Sequence, residues 1–309
     1  MAVTYRQGLS ILELIVYIPT LVMSLVVAWR HGFNRRAGWY FYILFSLARL
    51  VGNGCYLGTI NDPDNENLYI AYGVCNSVGL APLTLGVLAA LSRVNDSIQR
   101  NAGSGYWSAI FRIAGLPSFI GMILSIVGMT TSSSLEAGLT SKLTKAGMIL
   151  YLVGWAIVVA VTFLIWAQYR SIEKGEHRLV LAATFSMPFL TVRLVYSALA
   201  IFKHTATFNM FTGNTTVFLV MDILEEIVIV YVMVLTGLTL DIRAQPIPDQ
   251  PKESFGAADI ELESAQGQRL QNGNYAPPST QYEKYPYKGG PIQRLITWII
   301  HEINERRAR

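Results

Sequence analysis

Apolar residues along this chain gather in seven stretches, approximately 9–29, 38–60, 68–91, 110–129, 146–169, 179–202 and 217–240, with polar residues crowded into the gaps. A buried helix in a soluble protein needs only about 10–14 continuous apolar residues, whereas a membrane crossing needs about 20. The stretches lack the apolar–polar alternation of a membrane barrel, and in lipid only a helix or a closed barrel satisfies its own backbone. The pattern predicts an all-α membrane protein, a bundle of seven transmembrane helices over residues 1–240. The first stretch contains Glu13 and Pro19 and no small-residue cleavage site follows it, so it is expected to remain as a span and not to act as a removable signal.

Beyond residue 240 the pattern stops. Pro246, Pro248, Pro251, Pro277, Pro278 and Pro286 are scattered among Gln, Asn, Gly, Ser and charges, and such a segment buries too little apolar surface to offset its ordering entropy. Residues 241–290 are therefore expected to form a disordered tail. At 291–309 a new period begins: Pro291 opens a segment in which Ile292, Leu295, Ile296, Ile299 and Ile303 recur at helical spacing, opposite Arg294, Glu302, Glu305, Arg306 and Arg307. That pattern predicts an amphipathic helix, lying on the bilayer surface with Trp298 at its flank or packed against the ends of the bundle. The sequence names no cytoplasmic partner for the tail.

Composition agrees with the pattern: 52% of the 309 residues are hydrophobic and only 14% charged, which excludes an ordinary soluble domain. The net charge of +4 matters less than its placement. Arg30, Arg35, Arg36, Arg93, Arg100, Arg112, Arg170, Lys174 and Arg178 fall at one set of span ends, and Arg6, Lys142, Lys145 and Lys203 at the other. Nine bases against four put the N-terminus outside and the tail in the cytoplasm of a plasma membrane or endomembrane protein. Asn214 begins an Asn-Thr-Thr sequon close to the last stretch. Cys55 and Cys75 lie toward the same end of the second and third stretches, and are expected as buried free thiols, with a disulfide as the alternative.

Six ionisable residues lie inside the stretches: Glu13, Arg49, Arg193, Asp222, Glu225 and Glu226. A charge at bilayer depth costs roughly 2.5–3.5 kcal/mol on the insertion scale, so such residues face a protein interior and mark function. Asp222, Glu225 and Glu226, three and four apart, are expected to share one side of the last helix. Counting about 1.5 Å per residue, the two glutamates and Arg193 reach nearly the same depth, so an Arg193 pair with Glu225 or Glu226 is the leading contact. Arg49 completes the layer, with Glu13 and Asp222 expected nearer the outer surface. Short matches between Phe45-Ser46…Arg49-Leu50-Val51 and Phe185-Ser186…Arg193-Leu194-Val195 suggest a parallel repeat, although apolar helices also produce such matches by chance. Four acids against two arginines leave carboxylates over, to be met by protons or by a cationic group. The plain alternative is a polar clamp that holds the second, sixth and seventh helices together without any ligand.

Absences narrow the chemistry. The histidines His31, His177, His204 and His301 are all expected in loops or in the tail, which removes an intramembrane histidine–zinc centre, and no lysine lies within a stretch to form a retinal Schiff base. No cofactor, metal or nucleic-acid partner is expected, and no enzyme activity. The third stretch runs into Ser92-Arg93-Val94 and the seventh ends Leu238-Thr239-Leu240-Asp241, without the marks of G-protein-coupled receptors.

The run Glu13-Leu14-Ile15-Val16-Tyr17-Ile18-Pro19, the loop Arg30-His31-Gly32-Phe33 followed by Gly38-Trp39, Arg49, and the pair Glu225-Glu226 together resemble an uncharacterised group of fungal seven-helix membrane proteins. The resemblance covers about residues 1–240; more remotely, the architecture is similar to that of fungal lipid-translocating exporters. It implies the seven-helix architecture and no site roles. The sequence alone thus points to a protein that binds or translocates a small or lipid-like ligand. Arg49 and Arg193 would serve as anion-holding or structural cations and Glu225 or Glu226 as the proton-titrating acid, and a seven-helix sensor that signals through its cytoplasmic loops and tail is the alternative.

Overall fold

The computed structural model describes residues 4–31, 38–132, 135–203, 208 and 213–240. The tail expected over 241–290 and the amphipathic helix expected over 291–309 lie outside the described residues. Those described are helical, without strands. They form α1 (Tyr5–His31), α2 (Trp39–Gly58), α3 (Glu66–Val78), α4 (Leu80–Ala102), α5 (Ser108–Thr130), the short α6 (Leu135–Thr140), α7 (Lys142–Ala167), α8 (His177–Phe202), α9 (Thr215–Phe218) and α10 (Leu224–Thr239). A 3-10 turn, Tyr169–Ser171, follows α7, and a π-helical turn, Leu219–Ile223, joins α9 to α10. Helix thus covers each of the seven apolar stretches. Five helical segments are long and apolar enough to cross a membrane: Tyr5–His31, Glu66–Ala102, Ala109–Thr130, Lys142–Ala167 and His177–Phe202. The remaining two, α2 and the 215–239 run, carry Arg49 and the three acids.

Local chemistry sets the helix starts. Ser141 caps α7 by accepting the Thr144 N–H at 3.0 Å, and Asn65 caps α3 by accepting that of Asn67 at 3.2 Å. Asn214, the sequon asparagine, caps α9 through the Thr216 and Val217 N–H groups at 2.9 and 3.4 Å. The seven residues between α1 and α2 can reach at most about 25 Å, less than the roughly 40 Å length of α1, so the two helices run antiparallel.

The helices are inside out by the standard of a soluble protein. On α1, Arg6, Ser10, Glu13, Thr20 and Ser24 are buried while Ile11, Ile15, Ile18, Val22 and Leu25 are exposed. On α5, Ser118 and Ser125 are buried while Ile113, Leu116, Ile120 and Ile123 face out. In water this arrangement would leave long apolar stripes unprotected, whereas hydrocarbon covers them and drives polar groups inward. α4 is the central helix: 15 of its 23 residues are buried, and Leu83, Val87, Leu91 and Ile98 make a core with Phe45, Val180, Ile229 and Val230.

α5 and α7 touch through backbone. A Cβ placed on Gly147 would sit 2.7 Å from the Gly121 carbonyl oxygen, and one on Gly121 would sit 2.8 Å from that of Gly147. Small residues that let helices approach this closely supply much of the packing energy in lipid, where no hydrophobic force pulls helices together. Gly147→Val is expected to force the pair apart at a cost of about 1–3 kcal/mol, the usual overpacking range. Thermal unfolding in detergent measures it, and an unchanged midpoint would refute the close contact.

Candidate functional site

Five of the six ionisable residues singled out above meet in one buried layer. Glu13 comes from α1, Arg49 from α2, Arg193 from α8, Asp222 from the π turn and Glu226 from α10, and none is more than 2% exposed. Arg193 Nε donates to Glu226 Oε1 at 2.8 Å, and its Nη1 lies 2.7 Å from Asp222 Oδ1. Arg49 Nη2 donates to the same Glu226 oxygen and stands 3.8 Å from Asp222 Oδ2. Glu13 is held more loosely, 3.9 Å from Arg49 Nη1, and accepts the Asn53 amide N–H at 2.9 Å. The expected Arg193–Glu226 contact is present. Glu13 and Asp222 belong to this layer and not to a level nearer the surface.

Glu225 stands apart. It is only partly buried, and its Oε2 has no partner. Helix geometry explains the split: residues 222 and 226 lie about 40° apart around a helix axis, whereas 225 and 226 lie about 100° apart, so both glutamates cannot face one pair of guanidiniums. The acidic face therefore consists of Asp222 and Glu226. Three carboxylates and two guanidiniums share the layer, so the surplus is one acid and not the two expected.

Neutral groups finish the layer. Asn76, on α3, accepts Arg49 Nη1 with its side-chain oxygen and Arg193 Nη2 with its backbone oxygen, the latter at 3.4 Å. It thereby bridges both arginines, a role its sequence position signalled only as an asparagine inside an apolar run. Ser197, one turn beyond Arg193, accepts Arg193 Nη1. Gly79 separates α3 from α4 where a Cβ would lie 3.4 Å from Arg49 Nη2 and 3.2 Å from the Phe45 ring, so a bare backbone gives the guanidinium room. The π turn widens the last helix at Asp222, and such turns recur at functional sites.

Satisfaction is incomplete. Both Asp222 oxygens, Glu226 Oε2, Asn53 Oδ1, Arg49 Nε and the Tyr17 hydroxyl are buried without a hydrogen-bond partner. Asp222 lies close enough to Arg193 for an ion pair but not along an N–H direction. Buried polar atoms are normally bonded, so this concentration in one layer is unusual.

A second network ties helix ends together. Arg93, counted above with the loop bases, lies inside α4 and is 4% exposed. Its Nε donates to Glu176 Oε1 and Oε2 at 3.1 and 3.2 Å and its Nη2 to Oε1 at 2.9 Å. His31 Nε2 donates to the Gly237 carbonyl at 2.9 Å while its Nδ1 faces Arg93 Nη1 at 3.4 Å. Arg30 Nη1 reaches Leu238 O at 2.6 Å. The ends of α1, α4, α8 and α10 are joined here. No spacing rule in the sequence pairs Arg93 with Glu176, 83 positions away.

Among the described residues no group of three or more His, Cys, Asp or Glu side chains has the arrangement to hold a metal ion, and Cys55 and Cys75 are free thiols. Apolar outer faces, helices of crossing length and a charged interior define an all-helical membrane protein. A family model described as a domain of unknown function (DUF7702) matches residues 3–243, and the chain belongs to that family. A comparison with curated proteins found no match.

Proposed function

We propose that the chain is a multi-pass protein of seven spans, with its N-terminus outside and its tail in the cytoplasm, that binds or translocates a small or lipid-like ligand at the charged layer. The observation that carries this reading is the layer's surplus: one carboxylate beyond the two guanidiniums, beside acceptor oxygens that lack donors. A permanent structural contact gains nothing from unmet charge in oil, whereas a site that exchanges a cationic or hydrogen-donating group needs it. Its place between α1, α2, α3, α8 and α10 suits helices that shift against one another. The remote likeness of the seven-helix architecture to lipid-translocating exporters makes a phospholipid the first probe.

The second reading, a fixed clamp, is favoured by the near-complete enclosure of the layer. Both are tested by placing the full-length protein in sealed vesicles that carry a fluorescent short-chain phospholipid and a trapped pH dye. Movement of lipid or protons above that in protein-free vesicles is expected. Glu226→Gln is expected to slow it on the order of tenfold, equivalent to about 1.4 kcal/mol in a barrier. Neither probe moving, together with a lowered unfolding temperature for Glu226→Gln, would establish the clamp instead.

A further inference from the structure

The surplus acid in the layer can be assigned to one residue. Glu226 touches both guanidiniums, and Asp222 lies 2.7 Å from Arg193, so these two carboxylates neutralise the two arginines. Glu13 is left with a single charged neighbour of opposite sign, at 3.9 Å, and that neighbour is already engaged by Glu226. The other titratable groups near it are Asp222, Glu226 and Tyr72 on neighbouring elements and Tyr17 one turn along its own helix. Arg6, on its own helix, lies two turns away.

Asn53 supplies an independent observation. Its amide N–H donates to Glu13 Oε2 at 2.9 Å and to the Arg49 carbonyl at 2.9 Å, yet its own oxygen, on a side chain 1% exposed, receives no donor. A primary amide presents one donor edge and one acceptor edge, and a carboxylate answers only the first. A neutral carboxylic acid answers both, because its C=O accepts while its O–H donates. The missing donor beside Asn53 is therefore what a protonated Glu13 would bring.

We infer that Glu13 carries a proton in the resting protein and pairs as a neutral acid with the Asn53 amide, forming a proton-binding site between α1 and α2. The site lies within the layer to which the ligand-handling role was given and rests on that layer being a working site, but its protonation is read without any flux measurement.

The test is infrared spectroscopy of the full-length protein in vesicles at neutral pH, with and without carbon-13 at the glutamate carboxyls. A carboxylic-acid C=O band that moves with the label is expected. It should disappear in Glu13→Gln and persist in Asp222→Asn and Glu226→Gln. Glu13→Gln should also unfold within a few degrees of the unsubstituted protein, since the amide imitates the neutral acid. No labelled band, or a band that survives Glu13→Gln, overturns the assignment. Should Glu13→Gln not fold, Asn53→Ala decides: losing the amide partner shifts the labelled band to higher frequency, and an unmoved band overturns the pairing. A band of the expected kind in vesicles that pass neither lipid nor protons would leave the proton site standing and sink the translocation role.

Discussion

Arg193→Met is expected to unfold the protein at a temperature on the order of 10 °C lower, a loss of about 3–5 kcal/mol. The reason is not the energy of the pair itself, because burying an ion pair and burying apolar side chains of the same size come out nearly equal. Removing one partner, however, leaves Asp222, at 0% exposure, with only Arg49 for compensation, 3.8 Å away and already paired with Glu226. Adding Asp222→Asn to Arg193→Met restores the balance of charge and should recover more than half of the loss. Unfolding midpoints of the three variants in detergent measure both effects. A single variant that melts with the unsubstituted protein, or a double variant that melts below the single one, would show that the layer is not an electrostatic unit.

Glu176→Gln is expected to have the second largest effect. Arg93 would keep its charge at 4% exposure while losing its ion pair with Glu176 and the acceptor at one of the two oxygens it bonds, since an amide nitrogen cannot accept, and the His31 ring beside it offers only a neutral acceptor. Removing the charge of one partner from a buried pair costs about 3–5 kcal/mol at the extreme, and retention of the amide brings this toward the lower end. Arg93→Leu together with Glu176→Leu should be closer to the unsubstituted protein than either single change. The double-mutant cycle is expected to give a coupling of about 2–3 kcal/mol. A coupling near zero would mean that the two residues are independent and that α4 and α8 are joined here by packing alone.

The inside-out exposure of α1 and α5 shows which part of the fold was legible in the primary structure. Residues Ile11, Ile15, Ile18 and Val22 repeat at helical spacing because lipid must cover them, and that constraint acts on each helix separately. Helices consequently occupy each apolar stretch that the pattern marked. The short α6 was not foreseen, since six residues carry too little period to rise above loop composition. The break at Gly79 was also missed: a single glycine in an apolar run is common, and only the approach of Arg49 gives this one a purpose.

The candidate site divides along the same line. Rarity picked out Glu13, Arg49, Arg193, Asp222 and Glu226, because an ionisable group in an apolar helix is costly wherever it points. Rarity could not separate Glu225 from Glu226, since both carry that cost on the same helix. The 100° between them decides only when the direction of the arginines is known. Arg93 and Glu176 escaped because charges at helix ends are ordinary, and only burial makes theirs meaningful.

By itself the amino-acid sequence determined the helices and the set of charges that must avoid lipid, because these follow from solvation, which each segment meets alone. Tertiary structure decided which charges meet, that Asn76 bridges both arginines, that Glu13 is the acid left over and that Arg93 is a core residue. Those facts depend on the rotation and depth of one helix relative to another, and packing sets these between residues far apart along the chain.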